Sequence, residues 1–219
     1  MNFVRIPRLL KRTFPEITWE IQDTAPSLYL TFDDGPTPGI TAGVLEVLAK
    51  FNAKATFFCI GRNVERHPEI YRQILAAGHT TGNHTYSHLK GWYTPNLEYF
   101  EDIRLAAQFI RSTLYRPAYG MITPSQLGHL KKQYRIVMWD IMSYDFALNT
   151  SPENCLRNVM RYVRPGSLVV FHDSLKASEK VLYALPRVLE HFSGKGFSFE
   201  SIPYGGVTNH SHQLKNKPR

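Results

Sequence analysis

Short runs of β-branched and aromatic residues alternate with longer amphipathic stretches from Leu28 to about Ile202. Six runs read as strands: Leu28–Phe32, Ala55–Ile60, Thr80–Asn83, Tyr134–Trp139, Ser167–Phe171 and Phe197–Glu200, with a weaker seventh running into Arg116. The stretches between them carry helix signals. Thr123-Pro124-Ser125-Gln126 has the spacing of a capping box with proline at the first helical position, and Ser151-Pro152 and Thr94-Pro95 pair a capping residue with such a proline. Leu97, Phe100, Ile103, Ala107, Ile110 and Leu114 recur at intervals of three and four, predicting one helix packed on a core. Gly78 stands where the Ile70–Ala77 helix needs a C-terminal stop.

Strand–helix alternation without hairpin signals implies an α/β fold with a parallel sheet, open or closed into a barrel. Seven strand–helix units fall one short of the usual eight. No internal repeat interrupts the body. The chain divides into a basic N-terminal segment, 1–27, expected to pack on the barrel, a body, 28–204, and a polar basic stretch, 205–219, expected as a mobile tail.

Composition narrows the classes. With 43% apolar residues in 219, the chain can bury a sizeable core, so disorder is not the default. Lys and Arg outnumber Asp and Glu by 26 to 18, a formal charge of +8 that suits an anionic glycan, membrane or nucleic acid. No arginine-rich run or nucleic-acid motif is present, so a solvated basic surface is the simpler reading and no nucleic-acid partner is expected. Cys59, in an apolar strand run, and Cys155, in a helical one, form no disulfide framework or thiolate zinc site and fit a reducing compartment. Met1–Phe14 alternates basic and aliphatic residues without an apolar core of signal-peptide length. Nothing approaches the roughly 20 apolar residues of a transmembrane helix. The expected location is cytoplasmic or membrane-peripheral.

The polar residues are not scattered. Asp33 and Asp34 end the first strand, His84 and His88 follow the third, Arg116 and Tyr119 the weak fourth, Asp145 the fifth, and His172 ends the sixth. In a parallel α/β barrel these positions share the rim where chemistry takes place. Alone, Asp33-Asp34-Gly35-Pro36 is a good turn, His84-x-x-x-His88 is two solvated side chains, and Phe171-His172-Asp173 is a strand with a capping Asp. Their common rim reverses those readings. A carboxylate and two imidazoles suit one divalent metal, and a second carboxylate beside them can take a proton from a water held there. The remaining histidines, His67, His79, His129, His191, His210 and His212, have no such company and read as structural or solvated.

Thr31-Phe32-Asp33-Asp34-Gly35-Pro36, His84-Thr85-Tyr86-Ser87-His88, Arg116-Pro117-Ala118-Tyr119-Gly120, the Asp140–Phe146 segment and Val169-Val170-Phe171-His172-Asp173 occur in this order. Together they resemble the polysaccharide deacetylase family, the carbohydrate esterases with the NodB homology domain, over Leu28 to Ile202. The resemblance implies a distorted, incomplete (β/α)7 barrel that hydrolyses N-acetyl, less often O-acetyl, groups on sugars. It implies Asp34, His84 and His88 as metal ligands, Asp33 as general base with Arg116 as ionic partner, and His172 as general acid oriented by Asp145. The Tyr119 amide would help hold the oxyanion. Three positions depart from the family pattern: Ala118 where a second proline is usual, Phe146 where tryptophan is common, and Val170 where leucine often lines the acetyl pocket.

The expected cofactor is one divalent ion, zinc first, with cobalt, nickel or iron also compatible. The expected partner is an acetylated carbohydrate, cell-wall or lipid-linked glycans included, with Trp92, Tyr93 and Tyr144 as stacking platforms near the rim. The alternatives are an O-acetyl esterase, an amidase or deformylase acting on a small molecule, and a non-catalytic glycan-binding module.

Overall fold

The computed structural model describes residues 3–22 and 25–204. The expected tail at 205–219, with His210 and His212, lies outside the described residues. In chain order the elements are α1 (Arg8–Thr13), β1 (Ser27–Asp33), α2 (Ile40–Lys50), β2 (Ala55–Cys59), α3 (Gly61–Arg66), α4 (Pro68–Ala76), β3 (Thr80–Asn83), α5 (Asn96–Ala106), β4 (Leu114–Tyr115), α6 (Pro124–Leu130), β5 (Arg135–Ile136), β6 (Ile141–Met142), α7 (Pro152–Met160), β7 (Leu168–His172), α8 (Ser178–Ser193) and β8 (Ser198–Phe199). The sheet is parallel throughout, in the order β5-β4-β3-β2-β1-β7-β6, with β8 paired to the start of β1. Seven strands curl into an incomplete barrel.

Central β1 is buried at all seven positions, which is why its sequence reads as an almost unbroken apolar run. Alternation along the strands separates two cores. One face of β1, β2 and β7 packs Leu28, Leu30, Phe32, Phe57, Val169 and Phe171 against α2, α7 and α8, while Tyr115 and Ile136 of β4 and β5 pack with α5 and α6. The other face fills the barrel with Tyr29, Phe58, Leu114, Val137, Leu168 and Ile202. The capping box at Thr123 and Gln126 forms, as does the Ser151 cap on the Asn154 amide. Gly78 takes the left-handed conformation (φ +76) that a helix stop requires.

Two elements and one helix cap differ from expectation. β6 is an additional strand: at two residues it has no periodicity to detect, and only its ladder with β7 defines it. Asp145 therefore follows β6, and His172 ends the seventh strand rather than the sixth. The predicted Leu97–Leu114 helix is α5, which stops at Ala106; its buried face is Tyr99, Ile103 and Ala106, while Leu97 is 72% exposed. Ile110 and Leu114 are buried in the following turn and in β4, so the apolar spacing persisted across a helix end. Pro95 is the N-cap of α5, with Thr94 outside it and no side-chain cap.

The N-terminal segment spans the open side of the barrel. Val4–Ile6 runs antiparallel along β6, with Ile6 N donating to Asp140 O (2.9 Å) and Met142 N to Val4 O (2.8 Å). Thr18 lies beside β5, its N donating to Ile136 O (2.8 Å), and Glu20 bridges to Ser167. Buried Asp140 anchors this segment through Arg5 (3.3 Å) and Lys11 (2.5 Å), and Lys11 also pairs with Glu20. Among the described residues, no helix is long and apolar enough to cross a membrane.

Candidate active site

The turn after β1 is built to present Asp34. Gly35 N donates to Asp173 Oδ1 (3.0 Å), Thr41 Oγ1 donates to Asp173 Oδ2 (2.6 Å), and Asn63 Nδ2 donates to the Asp34 carbonyl (2.7 Å). A Cβ on Gly35 would lie 2.0 Å from Asp173 Oδ2, so only glycine fits against that carboxyl. After β3, Asn83 Oδ1 accepts from Thr85 N (2.9 Å), and Asp102 accepts from Tyr86 N (2.7 Å) and Ser87 N (3.0 Å). His84 and His88 therefore converge from a pinned loop, not from one face of a helix, with ring centroids 5.1 Å apart.

Asp34 Oδ1 lies 3.1 Å from His88 Nε2 and 3.7 Å from His84 Nε2, and donor atoms of the three residues all fall within 4.8 Å of one another. Donors about 2.0–2.2 Å from a tetrahedral ion would be about 3.4 Å apart, so the spacing fits a single cation. The donor chemistry fits as well. His84 Nδ1 lies 2.7 Å from the Arg116 carbonyl, which can only accept; the proton belongs on Nδ1 and the lone pair on Nε2. Burial lowers the His84 pKa to about 4, against the opposing pull of Asp33, so the imidazole is neutral. Burial raises the pKa of Asp34, but the hydrogen bond to His88 and the charges of His172, His84 and His88 outweigh it and leave the carboxyl well below its usual range.

Asp33 points to the same space, its Oδ2 4.0 Å from His84 Nε2. Arg116 Nη1 donates to Asp33 Oδ1 (2.6 Å) and to Thr31 Oγ1 (2.8 Å), Nη2 to Met138 O (2.7 Å), and Nε to Val137 O (3.2 Å). This guanidinium is fully buried in the barrel, 4.1 Å above the Phe58 ring. With four acceptors and no exposure it is a fixed countercharge and cannot swing away.

The β1–β7 register sets Asp33 beside His172. His172 Nδ1 is 2.8 Å from Asp145 Oδ1, and its backbone N donates to Asp145 Oδ2 (2.7 Å), so Asp145 fixes both ring and strand end. Lys180 Nζ in turn holds the Asp145 (3.0 Å) and Ala147 (2.8 Å) carbonyls. Burial lowers the His172 pKa, but Asp145, through charge and hydrogen bond, overrides it with help from Asp34 and Asp33 and raises the value to about 9. The imidazolium is thus present below about pH 9 and lost as pH rises through it. Asp145→Asn removes the main raising charge, so the alkaline limb of the kcat–pH profile should move to lower pH by roughly 1–3 units. An unmoved limb would detach that limb from His172.

Asp33, Asp34, His84, His88 and His172 line a cavity of about 1010 Å³, with Arg116 and Asp145 buried behind it. Tyr119, Tyr144 and Phe146 line it, with Tyr119 4.4 Å from the His88 ring and Phe146 4.9 Å edge-on to His172. Trp92 and Tyr93 are exposed and outside its lining. Val170 is also outside the lining: it is fully buried in β7, on the same strand face as His172 and one layer beneath it. Of the six non-glycine residues with positive φ among the described residues, Asp34, Thr85, His88, Tyr119 and Tyr144 lie in the loops around the cavity, the pattern of strain retained at a functional site. Sequence reasoning missed Asp173, Asn63 and Lys180, which act through backbone groups, and Trp139, which lines the cavity against Gly120.

A family model described as polysaccharide deacetylase matches residues 20–134, just over half of the chain, taking in Asp33, Asp34, His84, His88 and Arg116 but ending before Asp145 and His172. A peptidoglycan-N-acetylglucosamine deacetylase of Bacillus cereus is 31% identical over 194 residues, covering 85% of this chain and 91% of that protein. A chitooligosaccharide deacetylase of Azorhizobium caulinodans is 30% identical over 202 residues, covering 81% and 93%. Among solved structures, a peptidoglycan N-acetylglucosamine deacetylase in complex with a naphthalenyl N-hydroxybenzamide superposes with a TM-score of 0.83 at 29% identity, over 90% of this chain and 95% of that one.

Proposed function

Because the chain belongs to the polysaccharide deacetylase family, we propose that it is a metal-dependent hydrolase removing N-acetyl groups from an amino sugar in a polymer or oligosaccharide. The observation that carries this reading is that Asp33, fixed by Arg116, and His172, fixed by Asp145, line one cavity together with the Asp34, His84 and His88 cluster.

Asp34, His84 and His88 would hold the ion, zinc by donor preference, with cobalt, nickel or iron compatible. When bound, such an ion polarises the acetamide carbonyl and makes an attacking water more acidic. Asp33 takes the proton from that water, held in line by Arg116. The Tyr119 amide steadies the charge that builds on the carbonyl oxygen. An amide nitrogen is too basic to leave unprotonated, so His172 donates its proton as the C–N bond breaks, from Nε2 because Nδ1 is engaged by Asp145. Water adds to the acyl carbon, and acetate and a free amine are the products.

Completeness of this set favours catalysis over a glycan-binding module that keeps only the fold. Acetate release should be measured from N-acetylglucosamine oligomers, O-acetylated sugars and small amides in parallel, with and without a chelator. The oligomers are expected to be deacetylated and the chelator to abolish release. Release from small amides alone, or tight oligomer binding without release, would contradict the proposal.

A further inference from the structure

The N-terminal segment reverses the usual arrangement of a surface helix. In α1 the lysine is the sheltered residue: the Lys11 side chain is 10% exposed against Asp140 and Glu20. The leucines face outward, Leu9 at 78% and Leu10 at 37%, and α1 buries no residue. A helix fastened by ion pairs, with its apolar side left open, is not there to complete a core. Of its two leucines, Leu10 faces the cavity and Leu9 does not. Phe3, Ile6 and Leu10 line the same cavity as Asp34, His84 and His172.

Sheet order gives the direction. His172 ends β7, β6 is the next strand, and Val4–Ile6 is laid along the outer edge of β6. The leaving amine must approach His172, which sets the sugar ring toward this side, next to the strap. The wall there is mostly apolar: Phe3, Ile6 and Leu10 of the strap meet Met142 and Tyr144, whose hydroxyl donates to Phe3 O (3.2 Å), and Leu175 joins from the loop after β7. Apart from Asp33, Asp34 and the His172 imidazolium, the charged residues lining the cavity are Arg66 and Lys176, both cationic. At about 1010 Å³ the cavity is at the upper end of the roughly 300–1,000 Å³ of small-molecule sites, which leaves room for more than a sugar.

We infer that the N-terminal strap forms an apolar subsite and that the substrate is an acetamido sugar carrying an aliphatic chain, joined through a neutral or anionic linkage. This rests on the hydrolase reading for the placement of the sugar, but the subsite can be tested by binding alone.

The test compares hexyl and methyl β-glycosides of N-acetylglucosamine, below micellar concentration, on the full zinc-loaded chain. Affinity is read by calorimetry on Asp33→Asn, which slows turnover, and kcat/KM by acetate release from the wild type. Each fully buried methylene contributes roughly a fourfold gain, so the hexyl glycoside should be preferred at least about tenfold. Phe3→Ser with Leu10→Ser should reduce that preference to about twofold or less. Leu10→Ser alone, on a helix that buries nothing, reads the same ratio should the double variant fail to fold. Equal affinity for the two glycosides, or a preference that survives these substitutions, would overturn the subsite even if both release acetate. A strap-dependent preference in binding without acetate release from either glycoside would instead overturn the hydrolase reading and leave the subsite standing.

Discussion

Asp33→Asn is expected to lower turnover about 10²–10⁴-fold while the protein still binds one divalent ion. The substitution keeps the shape of the side chain and removes its ability to take a proton. The fold should survive, because Arg116 keeps Thr31 Oγ1, Val137 O and Met138 O as acceptors and Asn can still accept from Nη1. Metal should be retained, because Asp33 is outside the Asp34, His84 and His88 cluster. Metal content and kcat measured on one sample decide the matter. A metal-replete Asp33→Asn protein with near-normal turnover would remove the general-base role.

His172→Ala should slow amide hydrolysis by about 10²–10⁴-fold, and by far less for an activated acetyl ester whose leaving group departs without a proton. That dependence on leaving group separates proton donation from mere support of the fold. Loss of the ring also leaves Asp145 facing the gap, though the His172 backbone N and the Lys180 contacts still hold its loop. The measurement is the ratio of wild-type to variant kcat/KM on an N-acetyl sugar and on an aryl acetate. Equal losses on both would assign His172 a structural role.

Much of the site was legible because it sits at strand ends, where a parallel sheet gathers residues far apart in sequence. Asp33 and His172 are 139 positions apart, yet adjacent strands set them in register. The long strands β1, β2 and β7 were readable from their apolar runs; β6, two residues long, has no pattern of its own and exists through its ladder with β7. The predicted helix from Leu97 overran because apolar spacing does not register where a helix ends and a turn takes over. Asp173 looked like a cap, since its service to Gly35 and Thr41 is a tertiary contact across the barrel rim. Val170 looked like a pocket residue, but strand alternation sets it a layer below. The role of Phe3, Ile6 and Leu10 was invisible locally, because what distinguishes them is the cavity they face.

Hydrolysis as proposed requires Asp34, His84 and His88 to share one ion, so the most direct measurement is metal stoichiometry alongside activity. Protein stripped with chelator and titrated with zinc should bind one ion per chain, with acetate release rising in step with occupancy. Asp34→Ala and His84→Ala should lose both together. Wild-type protein that binds no ion at this cluster, or that releases acetate equally well when metal-free, would contradict it.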